Sequence, residues 1–247
     1  MVNVFTLAIN DIKNIIRDKF LVYSAIVFPI LFIVISQIFR LWIVPGLPNE
    51  FQFFPNNVTY YKGFFMVSVT MLPIVYGFIA AFLILDEKDE HLLTVLRVMP
   101  ISRNTYLIYR MLILSIFSFI ILLIYPALSG FLLEFPNFSY IEYIPTALQF
   151  AFLTPFSALM VTAFATNKVQ AFAIFKISGT IYFVPLFSFF IANNFKYIFS
   201  PAPNFWTIIS LNEVMSKGVN DYLHLVIGFI YIIVLIGLFF FVFNRKN

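Results

Sequence analysis

Six uninterrupted apolar stretches divide the chain: Phe20–Trp42, Phe64–Leu85, Met111–Leu133, Ile144–Ala165, Ala171–Ala192 and Tyr222–Phe243. A helix needs about 20 residues to cross a hydrocarbon core about 30 Å thick, and each stretch is that long. The runs are continuous rather than alternating, which excludes barrel strands. The pattern predicts an all-α polytopic membrane protein: one domain over residues 1–247 with six transmembrane helices.

The polar positions between the runs predict further elements. Over residues 3–19, Phe5, Ala8, Ile9, Ile12, Ile15 and Ile16 keep helical spacing, while Asn10, Lys13, Asn14 and Arg17 take the opposite face. Such a helix lies flat in the membrane interface. The apolar segment after it is too long for a cleaved signal peptide and lacks an A-x-A-like site. Within the segment 193–221, a short helix opened by Asn204 and closed at Gly218 is expected, resting Phe205, Trp206, Ile209 and Leu211 on the outer membrane face. Pro29, Pro73, Pro126, Pro155 and Pro185 stand inside five of the six runs, where each removes a helical hydrogen bond and favours a kink. Thr154, Ala158, Thr162 and Thr166 form a ladder of small side chains that lets another helix approach closely.

Composition fixes the solvent. The chain is 62% hydrophobic and 11% charged, with 35 Phe in 247 residues, and its mean hydropathy is +0.98. A soluble fold has no interior large enough for that apolar surface, so the solvent is lipid. The net charge of +4 reads as positive-inside loops rather than a nucleic-acid site. With both termini in the cytosol, the inner segments hold Lys13, Arg17, Lys19, Lys88, Arg97, Arg103, Arg110, Lys168, Lys176, Arg245 and Lys246. The outer ones hold Arg40, Lys62, Lys196 and Lys217, so eleven of the 15 cations fall inside. The expected location is the plasma membrane.

Several chemistries lack their groups. No Asp or Glu lies in the central part of a run, so a proton relay has no carrier. Lys176 is the one cation well inside a run, within snorkelling reach of the cytosolic interface. There is no cysteine, and His91 and His224 are far apart with no helical His or carboxylate partner at ligand spacing. No Gly-Lys pair occurs, so a G-x-x-x-x-G-K-[ST] phosphate loop is absent. The chain reads as no enzyme, with no cofactor of its own. Energy for any transport has to come from a partner.

The densest charge is the run "DEKDE" at Asp86–Glu90, followed by "HLLTVLRVMPIS". Locally, Asp86 is placed to cap a helix, with Glu87, Asp89 and Glu90 near its positive end. Leu92, Leu93, Leu96 and Met99 line one side, Pro100 ends it, and Ser102 caps the next helix. An acidic tip beside an apolar stripe is what a docking element needs.

The order Glu87-Lys88-Asp89-Glu90, then Leu93, Leu96, Val98, Pro100, Ile101, Ser102 and Arg103, resembles the E-[RK]-E-x-G-T-L-x-x-L-x-V-x-P-[LI]-S segment of ABC-2 type permeases. His91 and Leu92 stand where that segment usually has Gly and Thr. The amphipathic start, the six runs and the helical segment before the last run extend the resemblance over the whole chain. It implies the membrane subunit of an ABC exporter, whose loop (here 86–105) docks on a separate ATPase subunit that binds ATP and Mg. The implied contacts are Glu87, Lys88, Asp89, Glu90, Leu93, Leu96, Pro100, Ser102 and Arg103. A second permease chain, identical or related, completes a route lined by spans two and five. Ser68, Thr70, Tyr76, Ser178, Thr180 and Tyr182 are the candidate lining residues. The expected cargo is hydrophobic or amphipathic: a drug, lipid or peptide. The alternative function is a non-transporting membrane scaffold or immunity protein. An ATPase reading frame beside the gene separates the two.

Overall fold

The computed structural model describes residues 19–43, 60–89, 103–135, 137–191 and 194–246. All but the last residue of the expected interfacial helix (3–19), and most of the expected docking loop, lie outside them. Among the described residues, six helices are long and apolar enough to cross a membrane: Tyr23–Ile43, Tyr61–Lys88, Asn104–Leu128, Tyr140–Phe164, Lys168–Phe189 and Tyr222–Arg245. Each overlaps its expected run, with ends displaced by a few residues where helices continue into polar sequence.

Span one is built on α1 (Phe28–Ile38), flanked by π-helical turns at Tyr23–Val27 and Phe39–Ile43. Spans two and three are α2 (Tyr60–Asp89) and α3 (Arg103–Leu128). Span four is broken at Phe152 into α4 (Tyr140–Ala151) and α5 (Leu153–Phe164). Span five is α6 (Lys168–Phe183), continued as a 3-10 helix over Val184–Phe190. After α7 (Phe205–Lys217), span six is α8 (Tyr222–Lys246).

Span two is the centre of the bundle: 89% of its apolar window is buried, against 11% for span one and 17% for span six. Close approach makes this possible. A Cβ on Gly77 would lie 2.5 Å from the Thr154 carbonyl and 2.6 Å from the Ser157 Cβ, so α2 and α5 touch backbone to backbone there. Thr154, Ala158 and Thr162 of the expected ladder are buried. Thr166 is not part of it: α5 ends at Phe164, and the Thr166 N–H and hydroxyl both donate to Gln170 Oε1. The spans at the rim expose Ile26, Leu31, Trp42, Leu223, Ile230 and Phe241, as lipid-facing surfaces do.

Three span prolines have visible replacement donors. In hydrocarbon, a carbonyl that loses its helical N–H needs another partner. Pro29 has no N–H for the Ala25 carbonyl, and the Tyr76 hydroxyl donates to that oxygen at 2.9 Å. Pro126 likewise deprives Leu122, whose carbonyl accepts from the Tyr143 hydroxyl at 3.1 Å. Pro185 deprives Ile181, and there the chain tightens to 3-10 so that the Val184 N–H supplies the bond. Pro155 follows the break at Phe152, whereas Pro73 sits inside the continuous α2.

Two further expectations change. Asp86 does not open a helix: α2 runs through it to Asp89, because cations on neighbouring spans hold its acids. The helix between Asn204 and Gly218 forms with those limits, and Gly218 takes the left-handed φ of +73°. It is not laid on the membrane face, however. Phe205, Ile208, Leu211 and Val214 are fully buried, because α7 packs between α4 and α8. Its apolar positions surround too much of the helix for one interfacial face. The Asn204 amide also turns away from capping and donates from Nδ2 to the Tyr182 carbonyl at 2.8 Å.

Candidate coupling site

The described part of the candidate site is the base of the loop between α2 and α3. Glu87 lies in the last turn of α2, where the negative end of the helix dipole disfavours acids. It turns inward and is 8% exposed; Arg110, two turns into α3, is 2% exposed. Arg110 Nη1 forms an ion pair with Glu87 Oε1, and the Tyr106 hydroxyl donates to the same oxygen. Tyr106 and Arg110 are one helical turn apart on one face of α3, and the guanidinium carbon stands 5.2 Å from the Tyr106 ring centroid. Asp86 reaches the other way: its Oδ1 is 2.7 Å from Nζ of Lys168, the first residue of α6. Adjacent acids on span two are thus tied to spans three and five.

The residues expected to contact an ATPase are distributed unevenly. Glu87 faces the interior, so the partner visible for it is within the chain. Lys88 is half-exposed, and α2 ends at Asp89. Glu90, Leu93, Leu96, Pro100 and Ser102 lie outside the described residues, and Arg103 begins α3.

Five of the six expected lining residues are buried within the chain. Ser68 donates to the Phe64 carbonyl (2.9 Å), Thr70 to Met66 (2.8 Å) and Ser178 to Phe175 (2.9 Å), each within its own helix. Tyr76 serves span one, and the hydroxyl of Tyr182 is 2.7 Å from that of Ser157. Thr180 is exposed on α6, one turn beyond exposed Lys176.

The opposite end of the bundle has its own polar contacts. Arg40 pairs with Glu134 at 2.7 Å, and buried Lys62 donates to Ser216 Oγ at 2.5 Å. Glu142 accepts from the Asn220 N–H and the Tyr222 hydroxyl, both at 3.1 Å or less. The Lys217 ammonium is pushed above its ordinary value by the Glu213 carboxylate 2.6 Å away. Burial alone would raise the Asp221 carboxyl, but hydrogen bonds from His224 and the Leu223 N–H outweigh it and hold the group low. His224 thus does have a helical carboxylate partner, Asp221 three residues before it, but among the described residues no cluster of three or more His, Cys, Asp or Glu could hold a metal.

Sequence reasoning missed Tyr106, Arg110 and Lys168 as partners of the acidic run. The i, i+4 spacing of Tyr106 and Arg110 was visible, but only the packing of α3 on α2 says what that face meets.

A family model described as "Fluoroquinolones export permease protein Rv2686c-like" matches residues 11–240. Two similar curated proteins are fluoroquinolones export permease proteins, MT2760 and Rv2686c, from two Mycobacterium tuberculosis strains. Each is 26% identical over 240 residues, covering 96% of this chain and 92% of the relative. No solved structure matches. The six lipid-compatible helices and the match over nearly the whole length agree with the ABC-2 type resemblance of the loop: the chain belongs to the Rv2686c-like family of export permeases, as a multi-pass membrane protein.

Proposed function

We propose that the chain is the membrane subunit of an ATP-driven exporter, docking through the loop over 86–105 onto a separate ATPase subunit that binds ATP and Mg. The observation that carries this reading is the base of that loop. Spans two, three and five are drawn together there by Glu87–Arg110 and Asp86–Lys168, so a push on the loop has a rigid point of application. The loop end faces the cytosol, where eleven of the 15 cations fall, and both termini lie on that side. A second permease chain, the same or related, completes the route, with exposed Thr180 on span five facing it.

The substrate class is amphipathic and aromatic. The relatives' names point to fluoroquinolones, planar rings carrying a carboxylate and an amine. The decisive experiment is co-expression with an ATPase encoded beside the gene, followed by purification and reconstitution. A complex of two membrane and two ATPase subunits is expected, with hydrolysis stimulated by a fluoroquinolone. The isolated chain is expected to hydrolyse no ATP above a vector control. Robust hydrolysis by the chain alone, or no association with any ATPase, would overturn the reading.

A further inference from the structure

We infer that Glu87 and Arg110 form a positioning clamp that makes the adjoining ends of spans two and three move as one body with the loop between them. The inference rests on the proposed role of that loop in meeting an ATPase.

The placement argues for it. Glu87 lies two residues before the end of α2, and Arg110 seven residues after the start of α3, so their bond closes the loop at its root. The pair is buried, where water screens little and side chains have little room to wander. Two further contacts fix its geometry: the Tyr106 hydroxyl on the same carboxylate oxygen, and the Tyr106 ring beneath the guanidinium.

A buried ion pair is a poor way to gain stability, because desolvation offsets much of its attraction. Apolar side chains of similar size would hold the two helices together as well. What they lack is direction. A carboxylate and a guanidinium held by a third group permit one register, whereas a greasy contact lets helices slide. An element that passes a displacement from loop to spans needs that register, since slippage at the root would absorb the motion. The neighbouring bond is different in kind: Asp86 and Lys168 are both partly exposed, with 31% and 41% of their side chains open. That contact to span five is open to water, so the register rests on the buried pair between spans two and three.

The test separates positioning from docking. Glu87→Gln keeps the shape of the side chain and its capacity to accept from Tyr106, but removes the charge. Leaving Arg110 buried without its charge partner lowers stability, so the comparison is made on equal amounts of folded protein. Co-expressed with the ATPase and reconstituted, that protein is expected to retain subunit association and ATP hydrolysis. Fluoroquinolone moved per ATP should fall roughly tenfold, a change within the range of coupling free energies between sites. The swap of Glu87→Arg with Arg110→Glu should restore most of the ratio. A second readout needs no partner. The chain has no cysteine, so spin labels on Lys88→Cys and Asn104→Cys report one distance between the two span ends. A single narrow distance is expected with the pair intact, a broad one in Glu87→Gln, and a narrow one again in the swap. An unchanged transport ratio, or a narrow distance in Glu87→Gln, would overturn the clamp. Loss of ATPase association by Glu87→Gln would make Glu87 a docking residue and also overturn it. If the unmodified chain binds no ATPase, the exporter reading falls, and the spin-label distances alone decide whether the pair fixes the spans.

Discussion

The hydroxyl of Tyr76 on span two lies 2.9 Å from the carbonyl oxygen of Ala25 on span one, the oxygen to which Pro29 has no N–H to give. A residue in one helix thus completes the backbone of another. Tyr143 and Leu122 repeat the arrangement at Pro126. In water a stranded carbonyl would find a solvent molecule; in hydrocarbon the protein has to provide the donor.

Tyr76→Phe should therefore destabilise the chain by about 1–3 kcal/mol, the usual cost of an unsatisfied buried polar group. Pro29→Ala supplies an N–H to the same carbonyl and should remove most of that penalty. Unfolding of the two single variants and the double variant in detergent measures the coupling. Strict additivity would mean that Tyr76 acts only by packing.

Close packing makes a second prediction. Gly77→Ala forces a methyl into the Thr154 carbonyl and the Ser157 Cβ, neither of which is a flexible tip. The helices have to separate, at a cost of about 1–3 kcal/mol as for other overpacked cores. Gly179→Ala meets nothing within 4 Å and should be neutral or stabilising by up to about 1 kcal/mol. Equal melting temperatures for the two variants would contradict the close contact of α2 and α5.

The sequence made some of this legible and hid the rest, and the division follows from what lies on the other side of each helix. Spans one to six appear as hydropathy because lipid and protein core both require apolar side chains. Gly218 marked the end of α7 by local chemistry, its left-handed φ, whereas Asn204 marked the start although its amide bonds to Tyr182 on another span. The insertion of α7 between α4 and α8 was not legible, because periodicity does not distinguish a membrane face from a protein face. Asp86 read as an N-cap for the same reason: its actual partner, Lys168, begins the third span after its own. For Tyr76 and Ser68, expected to line a route, hydropathy did not reveal the acceptors their hydroxyls find, a carbonyl of span one and a carbonyl one turn back.

Acid should loosen the end of the bundle near Asp221. Its carboxyl is held below the ordinary carboxylate value of about 3.9. A group whose folded pKa is depressed contributes stability above its unfolded pKa and loses it as pH falls through the folded value. Stability measured from pH 6 downward should therefore decline below about pH 4. Asp221→Asn should flatten that part of the curve while keeping an acceptor for the Leu223 N–H. An identical acid slope in the variant would assign the effect to other carboxylates.

The acidic run offers the sharpest contrast, because neighbouring acids are expected to fail in different ways. Glu87→Lys places a second cation beside Arg110 in a buried site, and breaking such a pair typically costs about 3–5 kcal/mol. That variant should express poorly or melt early, with or without an ATPase present. Glu90→Lys belongs to the proposed docking loop, where reversed charge opposes a complementary surface. It should insert normally and keep its melting temperature, yet lose ATPase association, with each 1.4 kcal/mol of lost contact weakening binding about tenfold. Leu96→Asp should behave as Glu90→Lys does, by putting a charge into the apolar stripe. Melting curves and co-purification on the same three variants separate the outcomes. Normal association by both loop variants would remove the loop from the ATPase contact, and a stable Glu87→Lys would remove Glu87 from the interior.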